Sequence, residues 1–261
     1  MKRLPVIAII KETLLVVWQK RFVLVRALMA TALALAALDV AMRHGLKGVG
    51  SVSLLSLFVL LYVILAWAVC TLFAVTCHRI VLLGETSVPE YGLLSWTPRE
   101  TRFFGWLFVL FVYALLIVGP VWLVTFAAVF MDVPFFKGYE KYWVLLPGVG
   151  VVYVLARLAV LFPATAIGER RNTDWAFDTT AKNGWRLVAA TGLITAPLSF
   201  GMHALPVNHN LFTDFLVWLA DSALGVVGLV ALSLSFRFLS SMSPEAGGAN
   251  DTLQRAAEGD R

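Results

Sequence analysis

Three arginines, Arg79, Arg157 and Arg237, stand 78 and 80 residues apart, each near the end of a long apolar run. A guanidinium carries five N–H donors on a permanent cation, chemistry suited to phosphate or carboxylate. Three uses are open for it here: snorkelling to lipid phosphate, pairing with Glu12, Glu90 or Glu169, and a specific site for an anionic head group or substrate. Two carboxylates lie inside apolar runs, Asp39 toward the outer end of the first and Asp221 within the last. An acid in hydrocarbon is costly, so each either pairs or meets water, or serves a proton or ion pathway. His203, His209 and Asp214 gather around the last connection, but their spacing fits no metal signature, and no metal or cofactor is expected. Nothing matches a Ser/His/Asp set, paired carboxylates, a phosphate loop or a CxxC pair, so the chain is not read as an enzyme.

The arginines belong to a wider periodicity. Glu12, Glu90 and Glu169 stand 78 and 79 residues apart, and Trp18, Trp96 and Trp175 repeat at the same steps. Three series with nearly one interval predict a threefold internal repeat, with units at about residues 4–83, 84–167 and 168–239. Each unit reads as an interfacial segment followed by two apolar runs, which would form a transmembrane hairpin.

Hydrophobic residues make up 60% of the chain and charged residues 14%, with a mean hydropathy of +0.83, well to the apolar side of soluble domains. The composition predicts an all-α polytopic membrane protein with one integral membrane domain over residues 1–239. Six spans are expected, at about 22–42, 52–83, 103–131, 142–167, 185–203 and 211–239. Gly119-Pro120, Pro147, Pro163 and Pro197 are the expected kink or break points. Cys70 and Cys77 lie about 10 Å apart along one helix, too far for a disulfide, and read as packing residues. The uncharged run between Arg3 and Lys11 is too brief for a cleaved signal, so the N-terminal segment is expected to be retained. The tail, residues 240–261, is rich in small and charged residues and is expected to be disordered and cytoplasmic.

Segments of mixed character precede the odd-numbered spans: Leu4 to Gln19, Ser87 to Trp96 and Thr173 to Asn183. In the first, Glu12 with Gln19 and Thr13 with Lys20 make a polar stripe opposite Ile9, Ile10, Leu14 and Val17, which predicts an amphipathic helix in the head-group layer. Ser87-Val88-Pro89-Glu90 and Thr97-Pro98-Arg99-Glu100 both match the capping box with proline in the first turn, predicting two successive helix starts. Trp18, Trp96, Trp106, Trp175 and Trp185 are expected to anchor the interface. The glycines of Gly105-Trp106 and Gly184-Trp185 are expected to permit a turn from flat helix into span.

Seventeen of the 21 basic residues fall on one side of this topology, leaving Arg43, Lys47, Lys137 and Lys141 on the other. The positive-inside rule then places both termini and all three interfacial segments in the cytoplasm. The net charge of +5 belongs to topology and lends no support to a nucleic-acid partner.

The stretches His78-Arg79-Ile80-Val81-Leu82-Leu83-Gly84-Glu85, Leu161-Phe162-Pro163-Ala164-Thr165-Ala166-Ile167-Gly168-Glu169-Arg170 and Asn183-Gly184-Trp185-Arg186-Leu187 carry a family likeness. Through them the chain resembles bacterial six-span membrane proteins of the glycerophosphoryl diester phosphodiesterase membrane-domain type and of the YciC-like group. The resemblance covers most of Leu4 to Leu239 and implies an integral membrane fold with no catalytic residues to carry over. The soluble phosphodiesterase domain that can accompany the first type has no counterpart in these residues, so that activity is not inferred.

The expected role is that of a bacterial inner-membrane protein that organises membrane, contacts lipid or serves as an accessory or scaffold. Its expected partners are membrane lipids, anionic phospholipid among them, and an unidentified membrane protein. A transporter or permease-like component is the alternative, suggested by repeats and proline-broken spans, and an intramembrane enzyme comes third. A water-filled midplane cavity would favour transport, and lipid-filled grooves the first role. Reporter fusions at Lys47, Lys137 and Asn208 should read as external, and those at Glu90, Asn172 and Ala249 as cytoplasmic. An external Glu90 would overturn this orientation.

Overall fold

Long runs of Leu, Val, Ala and Phe have one economical backbone arrangement in hydrocarbon, the α-helix, because every N–H and C=O must find its partner within the segment. A computed structural model of the chain describes residues 3–45, 51–90, 92, 95–130, 140–204 and 211–242, and among these all regular structure is helical. The order is α1 (Val6–Gln19), α2 (Arg21–Gly45), α3 (Val52–Leu82), a 3-10 turn (Glu85–Ser87), α4 (Pro98–Phe130), α5 (Glu140–Leu158), α6 (Leu161–Ala166), α7 (Thr173–Thr180), α8 (Gly184–Gly192), α9 (Thr195–Ala204) and α10 (Leu211–Ser240). Five helical stretches are long and apolar enough to cross a membrane: Arg21–Met42, Val52–Leu82, Pro98–Val124, Gly148–Ala166 and Thr213–Ser240.

The expected span over residues 185–203 is instead two short helices, α8 and α9, with a turn at Leu193 and Ile194. Proline explains the break. Pro197 has no N–H to offer the carbonyl four residues back, at Leu193, and its ring crowds that turn. Pro163 acts in the same way on Ala159, where the helix stops and restarts as α6. α4 runs through Pro120 and α5 through Pro147 without interruption.

The two capping boxes part company. Thr97 closes the second as expected: its N–H donates to Glu100 Oε2 at 2.9 Å, its hydroxyl bonds the same oxygen, and α4 begins at Pro98. Ser87 turns its hydroxyl backward, donating to the Gly84 carbonyl at 2.6 Å, so it cannot cap a helix starting at Val88. Val88 is extended, and Gly92 then donates to the Pro89 carbonyl at 2.9 Å with φ of +84°. The amphipathic helix expected over Ser87 to Trp96 is therefore replaced by a 3-10 turn and an irregular strap; residues 91, 93 and 94 lie outside the described set.

α1 forms where expected but is rotated. Ile9 and Thr13 face inward, Thr13 only 1% exposed, as α1 packs against α8 and α10. Ile7, Leu14 and Trp18 point outward with Lys11, giving the helix apolar surface on both sides. Gly105 sits well inside α4 and marks no turn. Gly184 opens α8, and a Cβ there would lie 2.6 Å from the Tyr153 ring. Its role is close packing, which lets Trp185 stack on Tyr153 at 4.7 Å between ring centroids.

α2 pairs with α3, α4 with α5, and α9 with α10, while α10 also packs against α1, α3 and α8. Burial is lopsided along these helices. α3 is buried from Thr71 to Val81 apart from a half-buried Leu72, and α10 is buried from Val230 to Phe236. Their opposite halves expose Val52, Leu54, Leu57, Leu60 and Leu61 on α3, and Phe215, Leu216 and Leu219 on α10. Exposed apolar surface on this scale belongs against lipid. The chain is tightly packed at one end and opens into the hydrocarbon at the other.

The strap tests this packing. A Cβ on Gly92 would stand 2.1 Å from the Ala27 carbonyl oxygen, a backbone atom that cannot swing aside. Gly92→Ala is expected to cost about 1–3 kcal/mol, from overpacking and from the positive φ. Gly105→Ala, with nothing within 4 Å of the new methyl, should be neutral or stabilising by up to about 1 kcal/mol. Thermal unfolding of both variants in one detergent checks the order, and a Gly92→Ala protein as stable as the parent would contradict the strap's position.

Candidate functional site

The last four carbonyls of any α-helix have no partner within it, and at the edge of hydrocarbon each demands a donor. At the packed end of this bundle cations from other segments supply them. Arg79, in the last turn of α3 and 4% exposed, donates from Nε and Nη2 to the Ser87 carbonyl at 3.1 and 2.8 Å. Its Nη1 reaches the carbonyl of Ala166, the last residue of α6, at 3.5 Å. Lys20 Nζ donates to the Ile80 carbonyl near the end of α3 at 2.9 Å, and Arg21 Nη1 to the Trp18 carbonyl near the end of α1 at 2.8 Å. Arg157, in the last turn of α5, bonds Thr180 Oγ1 at 2.9 Å and the Phe177 carbonyl of α7, with its guanidinium 4.7 Å from the Phe177 ring centroid. Arg186 Nη1 takes the Leu4 carbonyl at 2.9 Å, while the Leu4 N–H donates to Asn183 Oδ1 at 2.7 Å.

Carboxylates complete the belt. Arg237 pairs with Glu12 at 2.5 Å, Arg26 with Glu90 at 2.6 Å, Arg171 with Glu169 at 2.9 Å, and Arg99 with Glu100 at 3.0 Å. The first two pairs are well exposed, whereas Glu100 is fully buried beneath the α4 cap. These contacts bring the start of α2, the ends of α3 and α10, and the segments around α1, α6, α7 and α8 to one end of the molecule.

The three arginines each stand in the last turn of a helix without sharing a role. Arg79 is enclosed by protein carbonyls, Arg157 lies between α5 and α7, and Arg237 remains on the surface. All three repeated glutamates pair with arginine, but only Glu12 pairs with a member of the arginine series. Trp18, Trp96 and Trp185 are exposed; Trp18 lies under the Arg21 guanidinium at 4.5 Å, and Trp96 donates to Thr101 Oγ1 at 2.8 Å. Trp106 and Trp175 pack partly into the core. Asp221 accepts from Ser199 Oγ at 3.0 Å, tying α9 to α10, and Asp39 is half-buried on α2. The side chains of Arg43, Lys47, Lys137, Lys141, His203 and His209, and the tail beyond Met242, lie outside the described residues.

No family model, curated protein or solved structure matches the chain. Its chemistry therefore rests on its own geometry.

Directly inside the belt lies an apolar cavity of about 470 Å³. It is lined by Cys70, Phe73 and Ala74 of α3, with Ala156, Gly225, Leu229 and neighbouring small residues of α5, α8 and α10. Walls of this kind favour hydrocarbon over water. Two further clefts, of about 220 and 270 Å³, sit on the belt itself beside the Arg26–Glu90 and Arg237–Glu12 pairs.

Arg26 and His78 were the residues least visible in the sequence as site-formers. A lone cation five residues inside an apolar run is itself a signal that a partner is needed, but Glu90 lies 64 positions away. His78 is fully buried, with Nδ1 2.7 Å from Ser233 Oγ. The Ser233 hydroxyl also stands 2.9 Å from the Leu229 carbonyl, within donating distance of it.

Removing a capping cation should cost more than removing an exposed pair. Arg79→Ala leaves two carbonyl groups short of donors and is expected to lose about 2–4 kcal/mol. Arg237→Ala, in a surface pair, should lose less than about 1 kcal/mol. Equilibrium unfolding of the two variants in mixed micelles measures the difference, and equal losses would contradict the capping role.

Proposed function

We propose that this chain is a multi-pass protein of the bacterial inner membrane with six crossings, both termini cytoplasmic, and a membrane-organising, lipid-contacting or accessory role. In this reading α8 and α9 together make the fifth crossing in chain order. The three units are α1 with α2 and α3, the strap with α4 to α6, and α7 with α8 to α10. Support for a repeat comes from the order of elements and from two helix stops, Gly84 and Gly168, at φ of 94° and 91° with glutamate after each. It is the arrangement implied by the six-span group that the chain resembles.

The observation that carries the lipid role is the set of cations the belt does not consume. Arg3, Lys11, Arg102, Arg170 and Lys182 are exposed and make no hydrogen bond or ion pair with any described residue. Basic side chains beside an anionic leaflet contribute about 1 kcal/mol each. Attraction for anionic phospholipid passes in this reading from the enclosed Arg79 and Arg157 to these five, with the exposed Arg237 at their side. The apolar cavity suits a lipid tail better than a hydrated solute, which sets the lipid role ahead of transport.

Native mass spectrometry from anionic nanodiscs tests it. Replacing the five cations by glutamine should reduce retained anionic phospholipid by at least about tenfold while the fold persists, since none of them holds a helix end. Unchanged retention in the folded variant would remove the lipid role, and solute flux in proteoliposomes would favour a transporter.

A further inference from the structure

The cleft beside α2 differs from the rest of the belt in carrying charges of both signs with capacity left over. Phe22, Val23, Arg26 and Ala27 form one wall, and Glu85 of the 3-10 turn with Val88, Pro89 and Glu90 of the strap form the other. Arg26 Nη1 bonds Glu90 Oε1, but no other donor of Arg26 engages a described residue. Glu85 is exposed and makes no hydrogen bond or ion pair with any described residue. The cleft holds one cation with spare N–H groups and two carboxylates.

Below it α2 presents a continuous apolar stripe. Phe22, Met29 and Leu33 are 73%, 52% and 53% exposed and, at spacings of seven and four, share the helix face on which Arg26 lies. A ligand that places charge in the cleft can lay hydrocarbon along this stripe.

We propose that this cleft binds the head group of an aminophospholipid, one that carries a phosphate diester and a primary ammonium. The phosphate takes the spare donors of Arg26, whose planar fork suits it. The ammonium donates to Glu85 and Glu90, and the tail follows Met29 and Leu33. A quaternary choline has no N–H to donate, and a glycerol head group brings no cation to answer two carboxylates. This proposal rests on the lipid-contacting reading and adds to it a head-group preference, set by residues other than the five exposed cations.

The test uses the full chain in nanodiscs containing phosphatidylethanolamine, phosphatidylcholine and phosphatidylglycerol in equal amounts with matched tails. Lipids retained on gentle release are counted by native mass spectrometry. Phosphatidylethanolamine should be enriched about tenfold over phosphatidylcholine, the worth of a charge-assisted hydrogen bond. Glu85→Gln, at an exposed and unpaired side chain, should fold as the parent does and lose most of that enrichment. Arg26→Gln should lose it also, and Asp178→Asn, at an exposed carboxylate outside the cleft, should not. Retention without head-group preference, or preference intact in Glu85→Gln, overturns the cleft while leaving the lipid role standing. Failure to retain any lipid sinks both.

Discussion

Unpartnered carbonyls at helix ends are the constraint on which this structure turns. A bundle immersed in hydrocarbon has little to gain from burying apolar side chains, since lipid is as apolar as they are. What it cannot tolerate is a backbone acceptor without a donor. Short helices raise the demand, because α6, α7 and α8 add their own termini at one level. The cations meet it from outside each helix: Arg79 serves the 3-10 turn and α6, Lys20 serves α3, and Arg157 serves α7. Two of these bonds, Arg79 to Ala166 and Lys20 to Ile80, join residues 87 and 60 positions apart, so the act of satisfying a helix end also helps to assemble the fold.

The lopsided packing is a consequence of this. Where the polar bonds lie, the helices are drawn together and α3 and α10 are buried on nearly every side. Away from the belt, where Ser199 meets Asp221, the exposed apolar side chains find lipid as good a neighbour as another helix. Small residues such as Ala74, Ala156 and Gly225 line the cavity where the packed region gives way to the open one. A cavity in that position is continuous in character with the surrounding acyl chains, not with water.

Much of the architecture was legible because it depends on local chemistry. The helical class, the Thr97 cap and the breaks upstream of Pro163 and Pro197 obey rules that act within four residues. What was hidden depends on partners far along the chain. Spacing places Arg79 at a depth but does not reveal that a carbonyl 87 positions away will meet it there. Thr13 looked like part of a polar stripe, yet it is buried because α8 and α10 cover that side of α1. Ser87 had the right neighbours for a cap, and its hydroxyl found the Gly84 carbonyl first.

The arginine series then acquires a physical meaning that differs from functional equivalence. A guanidinium has five donors and a long stem, so near a helix end some acceptor lies within its reach. Which acceptor it meets is left to the local chain: a strap carbonyl for Arg79, an α7 carbonyl for Arg157, a carboxylate for Arg237. Exposure rises along the series as the acceptor changes from buried backbone to surface acid. Arg79 is thereby committed to holding the fold, and an outside anion can compete only where the pairing is exposed. That criterion selects Arg237 and Arg26 from among the paired cations. Of these two, only Arg26 shares its cleft with an unpaired carboxylate, so a ligand that matches that cleft would carry both charges.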